Sequence, residues 1–188
     1  MKAPLFPLSS HILPGGRMAL RIFEPRYVRM IKQSCSENKP FAICMLNSAG
    51  DSANNSHIFG VGTLCNVIDF DVLDDGLLGV TVEGIECVEV SNIESEKDGL
   101  RIGELSIIKK WDCDLSEYEL NPIDDRLREI FDMYPEVSAL YDKTHFDDPI
   151  WIINRWLELL PVGAEQKQHF LLQGDCKKVL NYLSQLIE

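Results

Sequence analysis

Hydrophobic and polar residues alternate in short runs over most of the first 110 residues. Met18, Leu20 and Ile22 alternate with Ala19 and Arg21, which predicts a strand with one buried face. Apolar, strand-like runs also occur at 41–46, 58–68, 77–82, 85–90 and 100–108. Short strands at close spacing, separated by Asp-Gly turns, predict a small, strongly bent β-barrel or sandwich.

Two prolines modify this pattern near the N-terminus. Leu5-Phe-Pro-Leu8 predicts a short edge strand, because proline cannot donate to a sheet ladder. Glu24-Pro25 marks a change to helical spacing, since proline suits the first helical position. The helix is expected to end near Asn38-Lys-Pro40. Its predicted buried stripe consists of Tyr27, Met30, Ile31 and Ser34.

After Lys110 the apolar residues recur at helical spacing. Pro122 opens a predicted helix and Pro135 breaks it, whereas Asp148-Pro149 starts the next one with an acidic N-cap. A short helix closed by Gly174 and a last helix capped by Asp175 follow. The predicted inward positions are Ile123, Leu127, Ile130, Phe131, Tyr134, Ile152, Ile153, Trp156, Leu157, Leu159, Leu160, Val179, Leu180, Leu183 and Leu186.

The change from strands to helices predicts an α+β chain with two subdomains. We place the β-barrel subdomain at residues 1–115 and the helical bundle at residues 116–188. No flexible Gly/Ser linker lies between them, so we expect the two parts to form one domain.

Charge is distributed unevenly along the chain. The net charge is -12, which disfavours generic nucleic-acid binding because phosphate backbones are repelled. Residues 1–40 nevertheless hold seven Lys and Arg against two Asp and Glu. This segment either attracts an acidic partner or balances acidic neighbours within the fold, and we favour the second interpretation.

The six cysteines form no Cys-x-x-Cys motif, and three of them lie in apolar, strand-like runs. A buried thiol behaves as a small hydrophobe there. No secretory signal and no run of 18 apolar residues is present. We therefore expect a cytoplasmic protein with reduced cysteines and no membrane partner.

Several segments together carry a resemblance to a known family. They are, in order, Leu5-Phe-Pro-Leu8, Leu13-Pro-Gly-Gly16, Leu20-Arg-Ile-Phe-Glu-Pro-Arg-Tyr27, Phe59-Gly-Val-Gly-Thr63, Val67-Ile-Asp-Phe70, Asp75-Gly-Leu-Leu-Gly-Val-Thr-Val-Glu-Gly84, Gly103-Glu104, Trp156-Leu-Glu-Leu-Leu-Pro161 and Gln166-Lys-Gln168. The chain resembles the N-terminal substrate-binding domain of the Lon protease, in its stand-alone bacterial form. The resemblance covers essentially the whole chain.

The resemblance implies a six-stranded PUA-like pseudo-barrel with one early helix, followed by a helical subdomain. It also implies a non-catalytic role in binding protein, because in the full-length protease this domain helps to capture substrates while other domains hydrolyse ATP and peptide bonds. The sequence contains no Gly-x-x-x-x-Gly-Lys-Ser/Thr motif, and 188 residues leave no room for the family's Ser-Lys protease domain. We expect no enzyme activity and no cofactor. The expected partners are unfolded or degron-bearing polypeptides, and the expected role is that of an adaptor or holdase beside a protease.

The densest group of charged residues surrounds the strand-to-helix junction. One interpretation is a charged recognition edge; the other is that Glu24 and one arginine form a local ion pair that fixes the turn. Tyr27 fits the core better than a binding surface. The candidate binding residues are Arg17, Arg21, Glu24, Arg26, Tyr27 and Arg29.

No catalytic or metal-binding constellation stands out. The four histidines lack zinc-site spacing, and the acidic residues around His145 fit a solvated loop better than a metal site. Asp69, Asp71, Asp74 and Asp75 lack the glycine and glutamate positions of an EF-hand loop and predict a turn. We therefore predict no bound metal.

Two other functions compete with polypeptide binding. PUA-like barrels often bind RNA, but the charge of -12 argues against this. A small-molecule protein or enzyme using a cleft between barrel and bundle is the stronger alternative, although no residue pattern specifies its chemistry.

Overall fold

The alternating segments of the first unit form a six-stranded sheet that closes on itself. The computed structural model describes residues 1–115 and 117–187, without the side chains of residues 117 and 118. Its contacts divide the chain into two units, Met1–Ile108 and Lys109–Glu188. The strands are β1 (Lys2–Leu8), β2 (Arg17–Ile22), β3 (Phe41–Leu46), β4 (Ile58–Val72), β5 (Leu78–Ser95) and β6 (Arg101–Ile107), and helix α1 (Pro25–Glu37) lies between β2 and β3.

The sheet order is β2-β5-β4-β3-β1-β6, and a further pairing between β5 and β6 closes the barrel. β5 is long enough for its first part to pair with β2 and its last part with β6. Apart from the parallel pair of β1 and β3, all pairs are antiparallel. The predicted α+β class, with a six-stranded pseudo-barrel and one early helix, is confirmed.

The prediction that Leu5-Phe-Pro-Leu8 is an edge strand was wrong. β1 lies between β3 and β6 in the sheet order. Pro4 pairs only with β6 and Pro7 only with β3, so each proline has one side without a ladder partner. The sheet therefore accommodates both prolines in an inner strand.

The strands β4 and β5 are longer than the sequence predicts. The acidic residues Asp69 and Asp71 belong to β4, and the turn is confined to the residues between Val72 and Leu78. β5 also continues through Glu83 and Gly84, where the sequence predicts a break. Charged residues are tolerated here because this part of β4 is exposed.

Gly84 is where the loop of residues 13–16 contacts the sheet. Gly15 donates its N–H to the Gly84 carbonyl, and Gly84 donates to the Gly16 carbonyl, both at 2.9 Å. A Cβ atom at Gly84 would lie 2.4 Å from the carbonyl oxygen of Leu13. The close backbone approach therefore requires glycine.

Two apolar clusters occupy opposite faces of the sheet, as alternation along each strand requires. In β3, Phe41 and Ile43 belong to the cluster that includes α1, whereas Ala42 and Cys44 belong to the other. Both faces of β3 are buried, which explains its continuous apolar sequence. The predicted buried stripe of α1 is confirmed at all four positions, Tyr27, Met30, Ile31 and Ser34.

The second unit is helical. Its helices are α2 (Glu117–Leu120), α3 (Ile123–Met133), α4 (Pro135–Ser138), α5 (Pro149–Leu159), α6 (Ala164–Gln173) and α7 (Cys176–Ile187). The side chain of Asp148 accepts the N–H of Ile150 at 2.9 Å, so the predicted acidic N-cap is confirmed. Ser116, the first residue of the predicted second subdomain, lies outside the described residues.

Ten of the fifteen predicted inward positions of these helices are buried, Ile130 and Leu160 are half-buried, and three are exposed. Tyr134, Leu159 and Leu186 are exposed. Each lies at or next to a helix C-terminus. Trp156 is buried, and its indole N–H donates to the carbonyl of Ile123 at 3.0 Å, which links α5 to α3.

The expectation that the cysteines are reduced was wrong for one pair. Cys113 and Cys176 form a disulfide, with Cα atoms 5.9 Å apart and 63 positions apart in sequence. Only the packing of the second unit brings these residues together, so sequence spacing gave no sign of the bridge. Cys35, Cys44, Cys65 and Cys87 are thiols that do not take part in a disulfide.

Raising the pH from 8 to 11 is expected to lower the free energy of unfolding through Cys44. This residue is fully buried, and burial raises the pKa of its thiol from about 9 to about 12. The unfolded chain loses the proton at lower pH, so the stabilising contribution is complete below about pH 9 and is lost as the pH rises towards 12. Urea unfolding should show a loss of about 1 kcal/mol per pH unit above pH 9.

The variant Cys44→Ala provides the control for this prediction. Since it lacks the thiol, its free energy of unfolding should fall less steeply with pH over the same range. Equal slopes for the two proteins would contradict the assignment to Cys44.

Candidate functional site

The sheet leaves a groove of about 480 Å³ beside the C-terminal ends of β1 and β2. This volume is in the range of ordinary ligand pockets. Residues of β1, β2, the start of α1, the end of β3, the loop after β3 and the start of β6 line it. The groove therefore collects residues that are far apart in sequence.

One side of the groove is apolar. Leu8 and Leu20 are half-buried and pack against the core cluster that includes α1, which fixes their positions. Phe23 and Leu46 extend into solvent, and Phe23 is 69% exposed. An exposed phenylalanine beside a concave surface is typical of a site that binds apolar side chains.

The other side is polar and held in place by hydrogen bonds. Arg26 donates from Nε to Glu24 Oε2 at 2.9 Å and from Nη1 to the Gly99 carbonyl at 3.1 Å. Its Nη2 also lies 2.7 Å from Glu24 Oε2. The predicted local ion pair between Glu24 and an arginine is thus present, and it fixes the turn between β2 and α1.

Arg101 connects the start of β6 with the loop between β3 and β4. Its guanidinium donates to the carbonyls of Ser52 at 3.0 Å and Gly99 at 3.1 Å. Arg101 Nε and His57 Nδ1 are buried and have no hydrogen-bond partner within the described part of the chain. Unpaired buried polar atoms cost about 1–3 kcal/mol each, so a ligand that bonds them gains affinity.

Tyr27 belongs to both the core and the groove. It is buried, and its ring stacks on Phe6 with the centroids 4.2 Å apart. Burial raises the pKa of its hydroxyl, and the positive charge of Arg26 opposes this. Arg26 lies over the ring, 4.8 Å from its centroid. Tyr27 thus serves mainly to hold the wall of the groove.

The structure brings four of the six candidate residues together in the groove: Arg21, Glu24, Arg26 and Tyr27. Arg17 and Arg29 do not line it. Arg17 Nε donates to Glu83 Oε1 at 3.2 Å on β5. Arg29 Nε donates to Asp98 Oδ2 at 2.8 Å, and this bond lowers the pKa of Asp98.

Sequence reasoning missed the groove residues outside the junction motif. Leu46, Ser52, His57 and Arg101 come from separate loops and strand ends, and no local pattern marks them. Phe23 lies within the Ile-Phe-Glu-Pro-Arg-Tyr motif. That motif was the one sequence signal for any of the missed groove residues. The described residues that line the groove include three arginines, Arg21, Arg26 and Arg101, and one carboxylate, that of Glu24.

The acidic residues of β4 and its turn bind their own backbone. Asp69, Asp71 and Asp75 accept hydrogen bonds from the N–H groups of Phe70, Val72 and Leu77. Within residues 1–115 and 117–187, no three His, Cys, Asp or Glu side chains are grouped as metal ligands. Nor does any helix in these residues combine the length and apolar composition needed to cross a bilayer.

The second unit contains a separate buried group of charges. Arg155 is buried and forms two hydrogen bonds with Glu158, of 2.6 and 2.8 Å. Lys167 is also buried, which lowers the pKa of its amine to about 8, while Glu158 opposes this shift. Arg155 also lies 5.3 Å from the centroid of the Trp151 ring, within an aromatic cluster. None of these residues lines the groove.

Comparison with known proteins identifies the family. The family described as the ATP-dependent protease La (LON) substrate-binding domain matches residues 2–188. The chain belongs to this family. Two relatives named Lon protease, from Parabacteroides distasonis and Bacillus thuringiensis, are 20% and 24% identical to it, each match covering 98% of this chain. The chain spans about a quarter of the length of these curated relatives.

Solved structures of Lon N-terminal domains have the same fold. The Lon N-terminal domain protein from Xanthomonas campestris superposes with a TM-score of 0.74 and is 27% identical, covering 97% of this chain and 96% of that one. The N-terminal domain of Lon protease from the Mycobacterium avium complex gives a TM-score of 0.66 at 12% identity, with the same coverage. The resemblance to the Lon N-terminal domain, and the PUA-like fold that it implies, are confirmed.

Proposed function

We propose that the chain is a non-catalytic module that binds unfolded or degron-bearing polypeptides in the groove beside β1 and β2. The observation that carries the proposal is the exposed Phe23 ring beside half-buried Leu20 and Leu8, on a chain of the Lon substrate-binding family. Apolar side chains of an unfolded client would pack against these residues. A folded client would not present such side chains, so the groove would select unfolded chains.

The chemistry of the groove favours binding over catalysis. Within the described residues that line it, no serine or cysteine side chain is hydrogen-bonded to a histidine or carboxylate base. The guanidinium groups of Arg26 and Arg101 are held by carbonyl and carboxylate oxygens, which gives a preorganised positive wall. Such a wall orients a client's carboxylate or carbonyl groups.

The role that follows is that of an adaptor or holdase. A module with one apolar groove holds an exposed segment and keeps it from aggregating, and it transfers that segment when a protease competes for it. We propose that its partners are unfolded polypeptides and a protease, that it acts in the cytoplasm, and that neither nucleic acid nor a membrane takes part.

The test compares one client in two states. α-Lactalbumin, labelled with fluorescein, is offered either native or reduced and carboxymethylated, which keeps it unfolded. Fluorescence anisotropy should show binding of the unfolded form at least about 30-fold tighter, equivalent to about 2 kcal/mol. Equal affinities for the two forms, or no binding of either, would refute the proposal.

A further inference from the structure

In the described part of the chain, no strand occupies the outer hydrogen-bonding edge of β2. All six of its residues pair with β5, from Arg17 opposite Glu83 to Ile22 opposite Leu78. In an antiparallel pair, every second residue of a strand forms backbone hydrogen bonds to the neighbouring strand. The N–H and C=O groups of the other residues of β2 therefore point away from β5. As far as residues 1–115 and 117–187 show, β5 is the only element that supplies backbone partners to residues 18–22.

The opposite edge of this part of the sheet is protected. β4 pairs only with β5 beyond Cys65, and its register shifts between Val67 and Asp69. The carboxylates of Asp69 and Asp71 accept the backbone N–H groups of Phe70 and Val72 at 2.9 and 2.7 Å. A bulge and edge charges are ordinary means of blocking strand addition.

The edge of β2 carries Arg17 and Arg21 but has no bulge of this kind. Its register with β5 is unbroken over six pairs, and it contains no proline. Ala19 is exposed, and the Arg21 side chain is 64% exposed, so neighbouring elements do not cover the strand. An open, regular edge beside an apolar groove is the geometry that accepts an added strand.

We propose that β2 binds an extended client segment as an additional β-strand, with alternate side chains of the segment over the groove. This inference rests on the proposed function, because the occupant is the same unfolded polypeptide. It adds the mode of binding, which is backbone hydrogen bonding to β2, and a sequence preference that follows from the two faces of β2.

The preference comes from side-chain neighbours across the ladder. One face of the added strand lies beside Leu20 and Ile22 and over the groove, so its residues are apolar. The alternate residues of the added strand lie beside Arg17, Ala19 and Arg21, of which Arg21 also lines the groove, and these positions suit acidic residues. The exposed ion pair of Arg21 with Asp75 contributes only about 0–1 kcal/mol, so Arg21 exchanges readily to a client carboxylate. The expected client segment alternates apolar and acidic residues.

A second copy of the chain fits this edge less well than an acidic client. Two β2 strands paired antiparallel about Ala19 would place Arg17 directly opposite Arg21. Like charges opposite each other across a ladder are destabilising. Charge therefore favours a client segment over a symmetric dimer at this edge.

The test uses an eight-residue peptide with capped ends that alternates leucine and aspartate, carrying a fluorescein label on a linker. N-methyl groups are placed on alternate amides, either on the leucines or on the aspartates. Because only one set of amides faces β2, one N-methylated peptide should bind at least about 10-fold more weakly, while the other keeps the parent affinity. A peptide with four leucines followed by four aspartates is expected to bind at least about 10-fold more weakly than the alternating one.

Two variants test the charge preference. Arg21→Glu should weaken binding of the alternating peptide about 10-fold, whereas Lys32→Glu, the same charge change on an exposed position of α1, should not. Circular dichroism confirms that both variants are folded.

The outcomes separate the two proposals. If the peptide binds but both N-methylated forms keep the parent affinity, strand addition is wrong while the groove remains a binding site. Sedimentation of the free protein as a dimer that peptide dissociates would also overturn the inference, since the occupant would then be a second copy. If neither the peptides nor carboxymethylated α-lactalbumin bind, the proposed function itself fails.

Discussion

Phe23→Ser is expected to weaken the binding of carboxymethylated α-lactalbumin about 30-fold, equivalent to about 2 kcal/mol. Phe23 presents the largest exposed apolar surface of the groove, and its side chain does not belong to the packed core. Aromatic residues at the centre of a site often contribute this much to binding. Because the ring is exposed, the melting temperature of the variant should stay within a few degrees of wild type. Fluorescence anisotropy measures the affinity and thermal unfolding measures the stability.

Phe70→Ser is the matched control for this prediction. Phe70 is 65% exposed, close to the value for Phe23, but it lies on β4 and outside the groove. The same loss of a ring there should leave the affinity within about twofold of wild type. A loss of affinity with Phe70→Ser that equals or exceeds the loss with Phe23→Ser would move the binding site to the turn between β4 and β5.

Gly84→Val is expected to destabilise the first unit by at least about 3 kcal/mol. The new Cβ would lie 2.4 Å from the Leu13 carbonyl oxygen and 3.2 Å from the Thr63 methyl group. Two backbone hydrogen bonds join Gly84 to Gly15 and Gly16, and displacing the loop would break both. It would also strain the buried hydrogen bond from Thr63 Oγ1 to the Ile12 carbonyl, which is 2.7 Å long. Urea unfolding followed by circular dichroism measures the change.

Gly60→Val tests whether the effect at Gly84 comes from the close approach or from valine itself. Gly60 also lies in a strand, but a Cβ there would approach nothing closer than 4.0 Å. Since valine favours strands, the free energy of unfolding should change by less than about 0.5 kcal/mol. Similar losses at both glycines would contradict the role assigned to the loop contact.

The sequence predicted much of the fold because local patterns determine it. The stripe of α1, the proline at its first position and the Asp148 cap all follow from spacing and side-chain chemistry within a few residues. The position of β1 was mispredicted because pairing with β3 and β6 depends on residues 35 or more positions away. The disulfide between Cys113 and Cys176 likewise depends on contacts between distant residues.

The candidate site could be predicted only in part, for the same reason. The junction motif marked Arg21, Glu24, Arg26 and Tyr27, which are neighbours in sequence and line the groove together. Arg101 and His57 reach the groove through the closure of the barrel, which no local pattern shows. Arg17 and Arg29 belong to the same basic segment, but alternation and helical rotation direct them to Glu83 and to Asp98. Charge density alone therefore did not define the site.

NMR can map where an unfolded client contacts the protein. Carboxymethylated α-lactalbumin is added to isotopically labelled protein, and the amide shifts are followed residue by residue. We expect the largest shifts in β2, at Phe23 and at the groove residues His57 and Arg101, with little change around Phe70. Shifts concentrated in the helical unit or at the turn between β4 and β5, with the groove unchanged, would contradict it.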